Sequence, residues 1–123
     1  TLLLLGIVAV AFPALAIASM VIAVNLIANA VQASGLEPDI EVEVAPRGAG
    51  VSLVVRDRGP GIPPEVLPRL FDPFFTAKEP GQGTGLGLSL SFDLARRYDG
   101  HLEARSRPGG GAELELWLPG TNG

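Results

Sequence analysis

The sequence predicts an α/β fold of the two-layer α+β kind, a β-sheet with helices layered on one face. Segments of alternating apolar residues fall at 40–57 and 101–119, on either side of a helix-period segment at 86–98. A second apolar helix pattern precedes the first strand pair. Helices and strands mix without strict βαβ alternation, which favours helices on one face of the sheet. The 123 residues suffice for one domain and not comfortably for two.

The first element is the hardest to assign. From Thr1 to Leu36 no residue is ionisable, and Leu2 to Ala18 carries no polar side chain. Two readings of residues 1–24 stand side by side. In one they form a membrane span, at the lower edge of the required length. In the other "LLLLGIVAVAF" is a buried strand, Pro13 opens a helix from Ala14 to about Ala33, and Gly35 ends it. A signal peptide fits less well, because no basic residue precedes the apolar run. The chain begins with Thr rather than Met, which reads as a piece of a longer protein.

After Pro38 the period changes to two. Ile40, Val42 and Val44 alternate with Glu41 and Glu43 as a half-buried strand. "RGAG" supplies a turn and "VSLVVRD" returns, so the pair is a hairpin. "IPPEVLPRLF" reads as a short helix opened by its prolines. In "LGLSLSFDLARRYDG", Leu86, Leu90, Leu94 and Tyr98 stack at i+4, and Gly100 stops the helix. "HLEARSRP", a glycine turn and "AELELWLP" form a closing hairpin, with Ala112, Leu114, Leu116 and Leu118 on one face. The tail at 120–123 is expected to be disordered.

Composition narrows the function classes. A formal net charge of -4 disfavours unspecific nucleic-acid binding, which needs basic surface. The absence of cysteine excludes disulfides, a thiol nucleophile and zinc–thiolate sites.

Four stretches carry chemistry. In "DRGPGI" Asp57 ends a strand and is followed by Gly59 and Gly61. Such a carboxylate can accept a bond from an exocyclic amine such as that of adenine; it can equally close an Asx turn on its own backbone. In "NLIANAVQAS" Asn25 and Asn29 lie one helical turn apart. Their amide oxygens suit a Mg²⁺ held mainly through phosphates, or they are merely surface amides. In "FDPFFTAK" three phenylalanines either plug the core or anchor a lid, and Lys78 either reaches a phosphate or is solvated. In "GQGTGLGLSLS" Gly83, Gly85 and Gly87 precede a helix, so backbone N–H groups and the helix N-terminus can hold a polyphosphate. The loop is neither a P-loop nor a G-x-G-x-x-G fingerprint.

In this order the stretches resemble the N, G1, F and G2 boxes of the sensor histidine kinase family, an ATP-binding domain of the GHKL type. The likeness runs from Asn25 to Pro119. It implies a nucleotide-binding domain at 25–119, with a mixed sheet covered on one face by helices and a nucleotide lid. It implies ATP and Mg²⁺ as cofactors. Asn29 would hold the metal, supported by Asn25, and Asn29 and Lys78 would be the catalytic pair. Asp57 would read the adenine amine, with Gly59, Gly61 and Ile62 beneath the base. Phe71, Phe74 and Phe75 would seat the lid. Lys78 and the run Gly83, Thr84, Gly85, Leu86, Gly87 and Leu88 would wrap the phosphates.

The partner implied is a histidine-containing dimerisation domain, with a response regulator acted on indirectly. The location implied is the cytoplasmic part of a membrane-attached sensor, with a membrane contact possible through residues 1–24. Two departures stand out. No H box precedes the N box, and the lone His101 reads as a surface residue rather than a phosphate acceptor. The segment before the N box is apolar where the family is amphipathic. Related ATP-hydrolysing enzymes carry glutamate where Asn25 stands, and an amide is no general base near neutral pH. Transfer to a protein side chain is therefore expected over hydrolysis. The rivals are a GHKL-type ATPase or serine kinase, and a non-catalytic nucleotide-binding regulatory module.

Overall fold

A computed structural model describes residues 2–36, 39–73 and 87–120, with side chains from residue 15 onward. Its elements are α1 (Leu2–Ser34), β1 (Glu41–Arg47), β2 (Gly50–Arg56), a 3₁₀ turn at Leu67–Arg69, α2 (Gly87–Arg97), β3 (His101–Ser106) and β4 (Ala112–Pro119). The four strands form one sheet in the order β1-β2-β4-β3. All three pairings are antiparallel, not mixed as the family likeness implied. Both tight turns make hairpins, and β4 enters between β2 and β3, which run the same way but never touch. The two-layer sandwich stands as expected.

The first residues are helical. Among the described residues no strand forms before residue 41, and Pro13 lies inside α1 instead of opening it. Leu and Ala are strong helix formers, and their run carries the helix through Pro13 at the cost of the one backbone hydrogen bond that the proline's missing N–H forgoes. The helix runs unbroken across the expected boundary at residue 24 and ends at Gly35, whose φ of +77° is the left-handed cap.

One stripe of α1 packs on the sheet: Ala18, Ile22, Leu26 and Ala30, at i+4 spacing. Leu26 and Ile22 join Val55, Leu114, Leu116, Leu102 and Ala95 in the core. Elsewhere the helix is apolar and exposed, at Ile17, Met20, Val21, Val24, Ile27 and Val31. Leu15–Ser34 is long and apolar enough to cross a membrane, with mean hydropathy 1.8, yet its buried stripe belongs to the domain core.

Among the described residues the helices cover only part of the sheet. On the helix side the register aligns Val42, Val55, Leu114 and Ala104 in one row, and Val44, Leu53, Leu116 and Leu102 in the next. Among the described residues no helix lies over the β1 end of these rows. Val42 and Val44, expected half-buried, are 47% and 66% exposed. Beside them an apolar hollow of about 360 Å³ opens between Met20, Ala23, Val44, Leu53 and Leu118.

α2 is also rotated from its expected face. Its buried residues are Ser89, Ser91 and Ala95, while Leu90 is 49% exposed. Gly87, Ser91 and Ala95 share one side at i+4 spacing, and small residues there let α1 approach closely, while Phe92 stacks on Phe71 with ring centroids 5.0 Å apart. Asp99, not Gly100, takes the left-handed turn at φ +63°. Gly100 is required for a different reason: a Cβ there would overlap the Trp117 carbonyl. Between the glycine turn of residue 61 and Phe71, the expected helix is reduced to the short 3₁₀ turn, with a proline at its start.

The face away from the helices is a charge ladder. One row reads Glu41, Arg56, Glu113, Arg105 across all four strands. Arg56 Nε donates to Glu113 at 2.6 Å and Arg56 Nη1 to Glu43 at 2.8 Å. Glu115, only 3% exposed, accepts from Ser52 Oγ at 2.6 Å, from Arg105 Nη2 at 2.6 Å and from Arg47. Burial alone would push this carboxyl up; the hydrogen bonds from Arg47, Ser52 and Arg105 outweigh it and hold the group at about 2.

A depressed folded-state value contributes stability above the unfolded value, and the contribution is lost as pH falls through the folded one. The acid limb of the stability curve, between about pH 5 and pH 2, should therefore contain a Glu115 component. Melting temperatures of the parent and Glu115→Gln are expected to differ most at neutral pH and to converge in acid. A gap that stays constant down the whole range would show that Glu115 does not titrate as described.

Candidate functional site

Asp57 follows β2 immediately, so the sheet fixes its position. It is 2% exposed. Its Oδ1 accepts from Gly59 N at 2.8 Å, which is an Asx turn, and also from Ala112 N at 3.1 Å at the start of β4. Its own N–H donates to Ala112 O at 2.9 Å, and its carbonyl accepts from Arg107 Nη1 at 2.8 Å. Both readings of Asp57 are thus compatible with the fold: Oδ1 closes the turn, and Oδ2 accepts no hydrogen bond among the described residues.

The glycines around Asp57 are demanded by the backbone itself. A Cβ on Gly59 would lie 2.5 Å from the carbonyl oxygen of Ala33 in α1. Gly61 has φ +82° and passes beside Gly111. Ile62 is pinned from β3, where Ser106 Oγ accepts from its N–H at 3.1 Å and donates to its C=O at 2.9 Å. These contacts bring the strand-end loop, β3, β4 and the C-terminal turn of α1 together at one end of the sheet.

Asn25 sits at the other end of the exposed α1 flank. Its Nδ2 donates to Ser91 Oγ at 3.1 Å and to Gly87 O at 3.3 Å, tying α1 to the first turn of α2. The Asn29 side chain, half-buried one turn further on, makes no hydrogen bond among the described residues. Asn25, Asn29 and Ala33 therefore form a line at i+4 spacing, from the N-terminus of α2 to the Asp57 loop. The helix rises about 12 Å over that line.

Among the predicted site residues, the fold brings Asn25, Asn29, Asp57, Gly59, Gly61, Ile62, Gly87 and Leu88 onto three connected elements. Phe71 packs on Phe92 beside the core. Phe74, Phe75, Lys78, Gly83, Thr84, Gly85 and Leu86 lie outside the described residues. His101 is exposed at the start of β3 and stacks on Trp117, at 5.3 Å between ring centroids. The sequence reading missed Ser91, Ser106, Arg107 and Gly111. The first two are ordinary serines in helix and strand patterns, and only long-range pairing shows what they touch.

The donor set fits a magnesium ion held largely by phosphates. Asn25 and Asn29 offer neutral amide oxygens beside a helix N-terminus that favours anions. Among the described residues no group of three or more His, Cys, Asp or Glu side chains gathers to hold a metal on its own. A ligand phosphate would have to supply most of the charge.

Residues 17–122 match the family described as histidine kinase-, DNA gyrase B- and HSP90-like ATPase. The chain is 40% identical over 95 residues to the sensor histidine kinase ZraS of Escherichia coli K12, covering 77% of this chain and 20% of that protein. It is 46% identical over 95 residues to the sensor protein kinase FleS of Pseudomonas aeruginosa, covering 77% and 23%. The fold matches the catalytic domain of the histidine kinase ThkA with a TM-score of 0.71 and 32% identity, over 80% of this chain and 63% of that one. A mycobacterial sensor histidine kinase, MprB, matches with a TM-score of 0.75 and 28% identity, over 81% and 70%. The chain spans about a fifth of the curated relatives it matches. By sequence and by fold, it belongs to the histidine kinase-, DNA gyrase B- and HSP90-like ATPase family.

Proposed function

We propose that this domain binds Mg-ATP and delivers the γ-phosphate to a histidine on a separate dimerisation domain, as the catalytic part of a two-component sensor kinase. The observation that carries the reading is the line from Asn25 through Asn29 to the Asp57 loop. It joins a helix N-terminus suited to phosphates with a buried carboxylate whose Oδ2 is free to accept from an exocyclic amine.

The residues divide the work. Asp57 accepts from the adenine amine through Oδ2 while Oδ1 stays committed to the backbone. Asn29 and Asn25 turn amide oxygens toward the metal and phosphates. Bound Mg²⁺ neutralises charge on the transferring phosphoryl group. Lys78 adds a point charge to the phosphates, and the run Gly83 to Gly87 offers its N–H groups. Nothing at Asn25 can take a proton from water, which favours transfer over hydrolysis. The phosphorylated histidine would then supply a response regulator. The domain works on the cytoplasmic side of the membrane, attached through the rest of its sensor.

The deciding experiment uses γ-labelled ATP, the chain and a supplied histidine-bearing domain. Label is expected on the added domain and not on this chain. Stable, acid-labile label on His101 would overturn the division of labour, and steady release of inorganic phosphate without transfer would favour the hydrolytic rival. A companion experiment concerns the metal. Asn29→Ala should remove most of the Mg²⁺-dependent gain in ATP affinity with the fold intact, and Asn25→Ala should remove less. Calorimetric titrations with Mg²⁺ and with chelator measure both; equal, negligible effects would make the two amides structural.

A further inference from the structure

We infer that the outer face of α1 is a self-association surface, on which a second copy of this chain packs α1 against α1 as a short parallel coiled coil. The contact lies within this domain and is independent of the nucleotide reading above. A helix lying on a sheet turns one apolar stripe inward and normally shows polar residues outside. In α1 the inward stripe is Ala18, Ile22, Leu26 and Ala30, and the stripe on the opposite side is apolar as well. That outer stripe is Ile17, Met20, Val24, Ile27 and Val31. Ile17, Met20 and Val24 are 62%, 67% and 63% exposed, so nothing among the described residues covers them.

Spacing and charge select the occupant. The steps along the outer stripe alternate between three and four residues, the heptad pattern in which two helices interlock. Ile17, Val24 and Val31 take position a, and Met20 and Ile27 take position d. β-branched residues at a favour the parallel two-stranded form. No residue from Thr1 to Leu36 is ionisable, so α1 offers a charged partner no counter-charge. A second α1 needs none. Val21, Ala23 and Ala28 flank the seam, uncharged and mostly small, so two copies meet without repulsion and can come close. A bilayer surface does not fit: helices lying in one carry Lys or Arg beside the apolar stripe and Trp or Phe within it, and α1 has none of these between Leu15 and Ser34. A span does not fit either, because the inward stripe holds the sheet.

The seam is about 21 Å long. A free peptide of that length would not hold together. Here the core already fixes α1 as a helix, so association need not offset its ordering. The contact belongs to the small, weak class of interfaces, and micromolar association is expected. In the parallel pair the two-fold axis runs along the helices, so both Asp57 loops lie at the same end.

Sedimentation velocity of the chain in detergent-free buffer, over a micromolar concentration series, should show a monomer–dimer equilibrium. Val24→Glu sets two carboxylates face to face in the middle of the seam and should weaken the dimer about tenfold or more. Position 24 is exposed and Glu is the better helix former, so the monomer should keep its fold and its affinity for ATP. Val24→Lys should act alike, and an equimolar mixture of the two should regain a mixed dimer. Cysteines report the direction, since the chain has none of its own. Ile17→Cys and Val31→Cys should each form a disulfide-linked dimer on mild oxidation, and their mixture should form no link between residues 17 and 31. Such a link would overturn the parallel arrangement. A chain that stays monomeric, a dimer that Val24→Glu leaves intact, or growth beyond the dimer would overturn the seam. So would flotation with phosphatidylcholine and phosphatidylglycerol vesicles that Val24→Glu abolishes, which would assign the face to a bilayer.

Discussion

Asp57→Asn should weaken ATP binding at least tenfold, or about 1.4 kcal/mol, while leaving the fold almost untouched. The two carboxylate oxygens have separate duties. Oδ1 accepts from the N–H groups of Gly59 and Ala112. An asparagine can keep both bonds through its carbonyl oxygen. The amide NH₂ then occupies the place of Oδ2 and presents hydrogens where the exocyclic amine of adenine also presents hydrogens. The substitution therefore turns an attraction into a clash of donors at the ligand and spares the turn.

Asp57→Ala should behave differently. It leaves two backbone N–H groups without their acceptor in a buried position, at about 1–3 kcal/mol each. Stability and binding should fall together. Calorimetric titration of ATP, paired with urea unfolding, measures the contrast. If Asp57→Asn binds ATP as the parent does, the side chain is only the hinge of an Asx turn, and adenine must be read elsewhere.

The layers, the hairpins and the loop around Asp57 were legible because each rests on local chemistry. Period-two valines and leucines, glycines at turn positions and amides at i+4 spacing are written within a few residues of one another. What stayed hidden depends on partners far along the chain. Val42 and Val44 have the pattern of a buried strand face, but whether a helix covers them is decided by where α1 and α2 lie. Leu86, Leu90 and Leu94 make a convincing apolar stripe; the fold buries Ser91 and Ala95 instead, because Asn25 supplies the serine with a partner 66 positions away. The apolar run at the start reads equally as strand, span or helix, since hydrophobicity without a period does not separate them. In the site, Asp57 was visible as a strand-end carboxylate. Its contact with Ala112 was not, because that contact is made by the sheet.

The same neighbourhood leaves Gly111 no room for a side chain: among the described glycines its Cβ would make the shortest contact, 2.0 Å from the Asp57 carbonyl oxygen. Gly111→Ala is expected to cost at least ~3 kcal/mol and to take nucleotide binding with it. Gly111 is buried, with φ +97°, and a Cβ there would overlap the carbonyl oxygen of Asp57 and press on its carbonyl carbon and on Arg58. The neighbouring backbone cannot retreat cheaply. Asp57 N–H donates to Ala112 O, Ala112 N–H donates to Asp57 Oδ1, and Arg107 N–H donates to Gly111 O at 2.9 Å. Moving β4 away to admit a methyl group breaks the bonds that aim the carboxylate.

Gly109 supplies the control. It also has a positive φ, +86°, but no atom lies within 4 Å of the position its Cβ would take. Gly109→Ala should therefore pay only the left-handed backbone penalty, about 1–2 kcal/mol, and bind ATP as the parent does once folded. Urea unfolding of both variants, with ATP titration of the folded fraction, separates the steric cost from the conformational one. Equal losses at the two positions would mean that the backbone angle alone matters, and that β4 does not press against Asp57 as the geometry requires.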